Sequence, residues 1–252
     1  MYFESHAHYD DKAFDEDREE LLEKLPIEGI DYVIQVAANV SSSKAGIELA
    51  KRYEYIYCSI GVHPHDVKEL NEDNFKQLKG LSKEYKVVAI GEIGLDYHYD
   101  NSPRDLQRHW FERQLNWAKE IELPVIIHSR EASYETFDII SKVKPRKGVI
   151  HCYSGSVEMA KEYVKKGFYI GIGGTTTFKN AKKVIEVIKE IPLSSILIET
   201  DAPYLSPVPF RGKRNDSTNL RYIVEKIANI KDVDVKEIAR ITKENGRELF
   251  KI

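Results

Sequence analysis

The chain carries eight histidines in 252 residues. Scattered at random, they would give roughly 0.25 His-x-His pairs. Two are present, His6/His8 and His63/His65. In an extended strand residues i and i+2 point the same way, so His6 and His8 can grip one ion together. The second pair is interrupted by Pro64 and reads as a rigid loop, suited to substrate contact or phosphate orientation rather than ligation. Glu92, His128, His151 and Asp201 each follow a short apolar run. An acid placed there is costly to bury unpaired and should meet a cation. A carboxylate can bridge two ions with its two oxygens. Glu92 is the candidate bridge, with His6, His8 and Asp201 completing one ion and His128 and His151 a second. Asp201 could also take a proton from a bound water, whose pKa a metal ion lowers toward neutrality. Ordinary readings exist for each residue: Glu92 could pair with Arg130, and Asp201 could cap the turn that Ala202-Pro203 breaks. All of them holding together at six strand ends is a much weaker expectation. Mixed nitrogen and oxygen donors leave Mg²⁺, Mn²⁺, Zn²⁺ and Ni²⁺ open.

Side chains from distant stretches meet only if the elements bring them together. Short apolar runs recur at Tyr2–Ser5, Tyr32–Val36, Ile56–Ile60, Val87–Ile90, Val125–Ile127, Gly148–Ile150, Phe168–Ile172 and Ile196–Glu199. Runs of this kind suit parallel strands covered on both faces. Between them lie helical periods at Arg18–Leu25, Ser43–Tyr53, Gln107–Ile121, Tyr134–Val143, Met159–Lys166 and Lys182–Ile191. Eight alternations without a long linker predict an α/β fold, a (β/α)8 TIM barrel forming a single domain over residues 1–252. Two further helices, Leu220–Ile230 and Val235–Phe250, would close the outer layer. A doubly wound open sheet gives the same alternation. It does not explain why the histidines and acids sit at strand ends, which in a barrel converge on one mouth.

Composition narrows the setting. A formal charge of −3, with 42% hydrophobic and 31% charged residues, reads as globular, with no global attraction to nucleic acid or acidic membranes. The start MYFESHAHYD has no basic stretch followed by an apolar one, and no apolar run approaches a membrane span. Cys58 and Cys152 lack a CxxC partner and read as reduced thiols, so a cytoplasmic setting without a membrane partner is expected. The oligomeric state is open, a monomer being the simplest form.

Several stretches together resemble the TatD family of metal-dependent deoxyribonucleases, within the wider amidohydrolase-like barrels. They are Ser5-His6-Ala7-His8, Gly61-Val62-His63-Pro64-His65, Gly91 to Tyr97, and Leu123 through Arg130. They continue with His151-Cys152-Tyr153-Ser154-Gly155, Glu199 through Leu205 and Arg211-Gly212-Lys213-Arg214-Asn215. The resemblance runs from end to end, in order. It implies two divalent ions per subunit, one on His6, His8, Glu92 and Asp201, the other on Glu92, His128 and His151. It also implies hydrolysis of DNA phosphodiester bonds, exonuclease-type, on single strands or ends. One departure stands out: after Asn215 the family often has an acid, a proline and an aliphatic residue, and Asp216-Ser217-Thr218 lacks the proline.

For such a substrate, Arg211, Lys213 and Arg214 form a basic cluster that Arg130 could join on phosphates. Tyr97, Tyr153 and Tyr204 could stack on a base. An RGKR segment is as often a solvated loop, and irregularly spaced tyrosines as often pack. His98 and His109 read as surface or packing residues. Two rivals remain: a barrel hydrolase of a small amide, lactone or ester, and a non-catalytic nucleic-acid-binding relative. Relatives of the first kind often bridge their metals with a modified lysine where this chain has Glu92, and a complete ligand set argues against the second.

Overall fold

The computed structural model describes residues 1–252. In chain order its regular elements are β1 (Tyr2–Ala7), α1 (Arg18–Lys24), β2 (Ile30–Gln35), α2 (Val40–Arg52), β3 (Ile56–Ile60) and α3 (Glu72–Leu81). Then come β4 (Val87–Asp96), α4 (Arg104–Glu120), β5 (Val125–Arg130), α5 (Ser133–Val143), β6 (Gly148–Ile150) and α6 (Val157–Lys165). The chain ends with β7 (Tyr169–Ile172), α7 (Lys182–Glu190), β8 (Ile196–Ile198), α8 (Leu220–Lys231) and α9 (Val235–Phe250). The strands form one sheet in chain order. The fold is a (β/α)8 barrel, as the alternation predicts. No helix is long and apolar enough to cross a membrane.

The chain falls into two compact units, residues 35–151 and residues 1–34 with 152–252. In the first, β3 to β6 run parallel, with Ile90 opposite Val125, Gly94 opposite His128 and Val125 opposite Gly148. Every residue of β4 is buried, Glu92 and Asp96 included. Helix α2 starts on a reciprocal cap, in which the Asn39 side chain accepts the Ser42 N–H and Ser42 Oγ accepts the Asn39 N–H. Helix α4 reaches back to the strands through two buried glutamines. Gln114 pairs with both backbone groups of Val62, and Gln107 accepts the Asp96 N–H while donating to the Asp96 and Ser102 carbonyls. Those bonds fix the ends of β3 and β4, where the polar residues begin.

The second unit holds the closure that distinguishes a barrel from an open sheet. Ala7 bridges Ala202 in parallel, the Asp201 N–H donates to the His6 carbonyl at 2.9 Å, and the His8 N–H donates to the Ala202 carbonyl at 2.8 Å. First and last strand are therefore neighbours. Helix α9 packs on β1, where Phe3 meets the Phe250 ring at 5.9 Å and the Tyr32 ring at 5.5 Å. The missing proline of the 215–219 segment leaves no irregular loop. Asp216 accepts from Thr218 N and Oγ1, starting a short 3-10 turn over Ser217–Asn219.

Several elements differ from the sequence expectation. Strand β4 runs on to Asp96 and β5 to Arg130, so Glu92 and His128 lie inside strands rather than at their ends. The apolar run stops earlier because Gly91, Glu92 and Gly94 interrupt it, while Ile93–Asp96 still pair with Ile127–Arg130. Helix α3 was not anticipated, since only Phe75 and Leu78 of its ten residues are buried.

Candidate metal centre

In the 35–151 unit one carboxylate oxygen collects three imidazoles. Glu92 Oε1 lies 2.9 Å from His128 Nδ1, 3.9 Å from His63 Nε2 and 3.8 Å from His151 Nε2. The ligand atoms of His63, Glu92 and His128 all lie within 4.8 Å of one another. Donors about 2.1 Å from a common ion in tetrahedral array stand roughly 3.4 Å apart, so this group is close enough to hold a cation, although His128 also lies at hydrogen-bond distance from Glu92. Glu92 is 3% exposed, and its N–H donates to the Ala37 carbonyl at 2.7 Å. The peptide between Gly91 and Glu92 is cis.

Behind His128 stands a second buried acid. Asp96 Oδ2 lies 2.9 Å from His128 Nε2 and 3.0 Å from His65 Nε2, while Oδ1 accepts the N–H groups of His98 and Tyr99 at 3.0 and 2.9 Å. Burial alone would raise the Asp96 carboxyl. Its bonds from His128, the Tyr99 N–H and His65 outweigh that and hold it well below the usual carboxylate range. Burial likewise works against charge on His128, but Asp96 and Glu92 on its two sides hold it above the ordinary histidine value. A bound cation reverses that balance, because a ligating nitrogen must be unprotonated.

In the other unit His6 and His8 do share one side of the chain. Their Nε2 atoms are 3.1 Å apart, and Asp201 Oδ1 lies 3.7 Å from the first and 3.5 Å from the second. Asp201 adopts φ of +60°, a conformation that Asp tolerates better than most residues. Beneath this trio Glu4 is fully buried and accepts four hydrogen bonds. They come from the N–H groups of His6 (3.2 Å) and Thr200 (2.8 Å), and from the hydroxyls of Thr200 (2.6 Å) and Ser217 (2.9 Å). Burial pushes its carboxyl up to about 8 despite those donors. The network ties β1 to the stretch leading into Asp201. Nearby, Glu199 Oε1 accepts the Cys152 N–H at 2.5 Å.

Comparison with known proteins bears on these ligand sets. The model of the family described as TatD related DNase matches residues 3–251. The chain belongs to this family. The metal-dependent hydrolase YabD of Bacillus subtilis, itself uncharacterized, is 44% identical over all of both chains. The metal-dependent hydrolase MJ1582 of Methanocaldococcus jannaschii, likewise uncharacterized, is 34% identical over 99% of this chain and 97% of its own. Among solved structures, the TatD homologue YjjV of Escherichia coli superposes with a TM-score of 0.95. The two are 32% identical, covering 100% of this chain and 98% of YjjV. Membership of the TatD related family thus groups the chain with metal-dependent hydrolases.

The expected substrate contacts of this TatD-family chain separate into free and engaged groups. Arg211 and Lys213 are exposed, Arg211 stacking over the Phe178 ring at 3.9 Å. Arg130 is exposed over the Tyr99 ring at 4.7 Å. Arg214 forks onto Asp17 at 2.6 and 2.5 Å and donates to the Ala13 carbonyl, so its charge is already matched. Tyr153 is buried and its hydroxyl donates to the Ser156 carbonyl, which leaves no face for a base. The Tyr97 hydroxyl donates to Glu135 and that of Tyr204 to Asp11. His63 stands with the ligand atoms, and His65 is bonded to Asp96. The sequence reading gave no role to Asp96 or Glu4. Strand parity was the available signal: Glu4, His6 and His8 share one, and Glu92 and Asp96 share another.

Proposed function

We propose that the protein is a divalent-metal-dependent deoxyribonuclease that hydrolyses DNA phosphodiester bonds from strand ends. In one unit His6, His8 and Asp201 would hold an ion, and in the other Glu92, His128 and His151 would hold an ion. The observation that carries this reading is the convergence of His128 and His151 on Glu92 Oε1, at 2.9 and 3.8 Å, with His63 beside them at 3.9 Å. DNA as the substrate class rests on kinship with the TatD related DNase family. Bound there, divalent ions supply a lowered pKa for an attacking water and neutralise charge growing on the phosphoryl oxygens. Asp201, 15% exposed and beside His6 and His8, takes the proton of that water as general base. Glu92, buried, fixes the imidazoles around it. Arg211 and Lys213 steer the phosphate backbone, a few contacts sufficing for an enzyme that acts on an end despite the net charge of −3.

The test is a panel of labelled single-stranded DNA against small esters, lactones and amides. Wild type is expected to degrade the DNA progressively, with Glu92→Ala and Asp201→Ala each losing at least about 100-fold. Turnover of a small ester with DNA untouched would replace this reading with that of a small-molecule hydrolase. DNA turnover unchanged in both variants would remove the catalytic assignment.

A further inference from the structure

His128 has a carboxylate within hydrogen-bond reach of each ring nitrogen. Nδ1 faces Glu92 and Nε2 faces Asp96, both at 2.9 Å. The two sides differ in kind. On the Glu92 side, His63 and His151 stand 3.9 and 3.8 Å from the same oxygen, too far for hydrogen bonds and suited to donors around an ion. On the Asp96 side, both imidazoles lie at hydrogen-bond distance, 2.9 and 3.0 Å. The other Asp96 oxygen is already filled by the N–H groups of His98 and Tyr99.

We propose that Asp96 is a positioning residue for the metal centre. Its carboxylate accepts the Nε2–H of His128, which leaves Nδ1 unprotonated and aimed at the ion shared with Glu92. This rests on the reading of His128 as a metal ligand given above. A ligating histidine whose far N–H meets a carboxylate is fixed in tautomer and ring angle and becomes a better donor. Asp96 has a second consequence. The same carboxylate holds His65 and the backbone of residues 98–99, and the Tyr99 ring packs against His65 at 5.4 Å and under the Arg130 guanidinium at 4.7 Å. One buried acid therefore sets both a ligand and the exposed segment beside it, so loss of Asp96 disturbs Arg130 as well as metal affinity. Gln107 supports the acid by gripping both backbone groups of Asp96.

The substitution Asp96→Asn is nearly isosteric. Its carbonyl oxygen can still accept from the 98–99 backbone, but its amide then presents a donor to His128 Nε2. That favours the tautomer with the proton on Nδ1, the wrong one for ligation. The measurement is zinc affinity by competition with a chelating indicator, together with histidine ¹⁵N NMR of the zinc-loaded protein. Wild type is expected to show His128 metallated at Nδ1 and protonated at Nε2. Asp96→Asn should bind zinc about 10–100-fold more weakly. A wild-type spectrum with His128 metallated at Nε2, or Asp96→Asn affinity within about threefold of wild type, would overturn the inference while leaving the functional reading intact. The wild-type spectrum decides even if the variant fails to fold. A wild type that takes up no zinc overturns the functional reading and this inference with it.

Discussion

Burial works against charge on the thiol and the acids of this chain alike, and the partners offered decide the outcome. Cys58 is 0% exposed, its thiol lies 3.6 Å from the Lys86 carbonyl, and burial, which the charges of Lys86 and Lys51 do not offset, pushes it up to about 12. A thiol raised in the fold above its unfolded value stabilises the fold fully below about pH 8.5. That contribution fades as pH climbs toward 12, by about 1.4 kcal/mol per pH unit. Urea unfolding between pH 8 and 11 should therefore show a steeper alkaline loss in wild type than in Cys58→Ala; parallel curves would contradict the assignment. Asp96 and Glu4, in contrast, are buried acids rich in donors. At this scale the sequence exposed the His6/His8 pair and the acids after apolar runs, because a charge in an apolar setting advertises itself. Asp96 escaped because Tyr97-His98 after it reads as the start of a loop, and only β4 continuing to residue 96 puts it on the Glu92 side.

Elements act here chiefly through how close their backbones come. Gly94 of β4 has φ of +150°, and a Cβ there would sit 1.9 Å from the His128 carbonyl oxygen of β5. Only glycine permits that approach, and with it the register that brings Glu92 and His128 together. Gly94→Ala should cost about 2–4 kcal/mol by combined strain and overpacking and lower metal content as well. Unfolding midpoints and bound metal measured on one preparation check both; an unchanged midpoint would show that the strands can part at no cost. The eight strands were legible because parallel barrel strands are apolar on both faces. Their C-terminal limits were not, since those are where the polar residues gather. Helix α3 was missed for a related reason: a helix that buries two residues has almost no apolar stripe to read.

Across the whole molecule, eight alternations with histidines and acids at strand ends made the barrel legible, yet pairing of surface charges cannot be read from composition. The RGKR segment looked uniformly basic, but Arg214 is spent on Asp17 while Arg211 and Lys213 stay exposed. Replacing both exposed residues by alanine should raise KM for DNA several-fold with kcat within about twofold. The salt slope of binding should fall by about 1 per lost contact. Arg214→Ala should show up in stability rather than in KM; the reverse pattern would reassign the phosphate contact.

The central claim is that the His and carboxylate clusters hold divalent metal for hydrolysis of DNA. Its most direct test is turnover of 3′- or 5′-labelled single-stranded DNA by metal-stripped protein, restored with Mg²⁺, Mn²⁺ or Zn²⁺ in turn. The account predicts no cleavage by the stripped protein and stepwise shortening from one end on restoration, absent in Glu92→Ala. Cleavage that survives metal removal, or none with any ion, would contradict it.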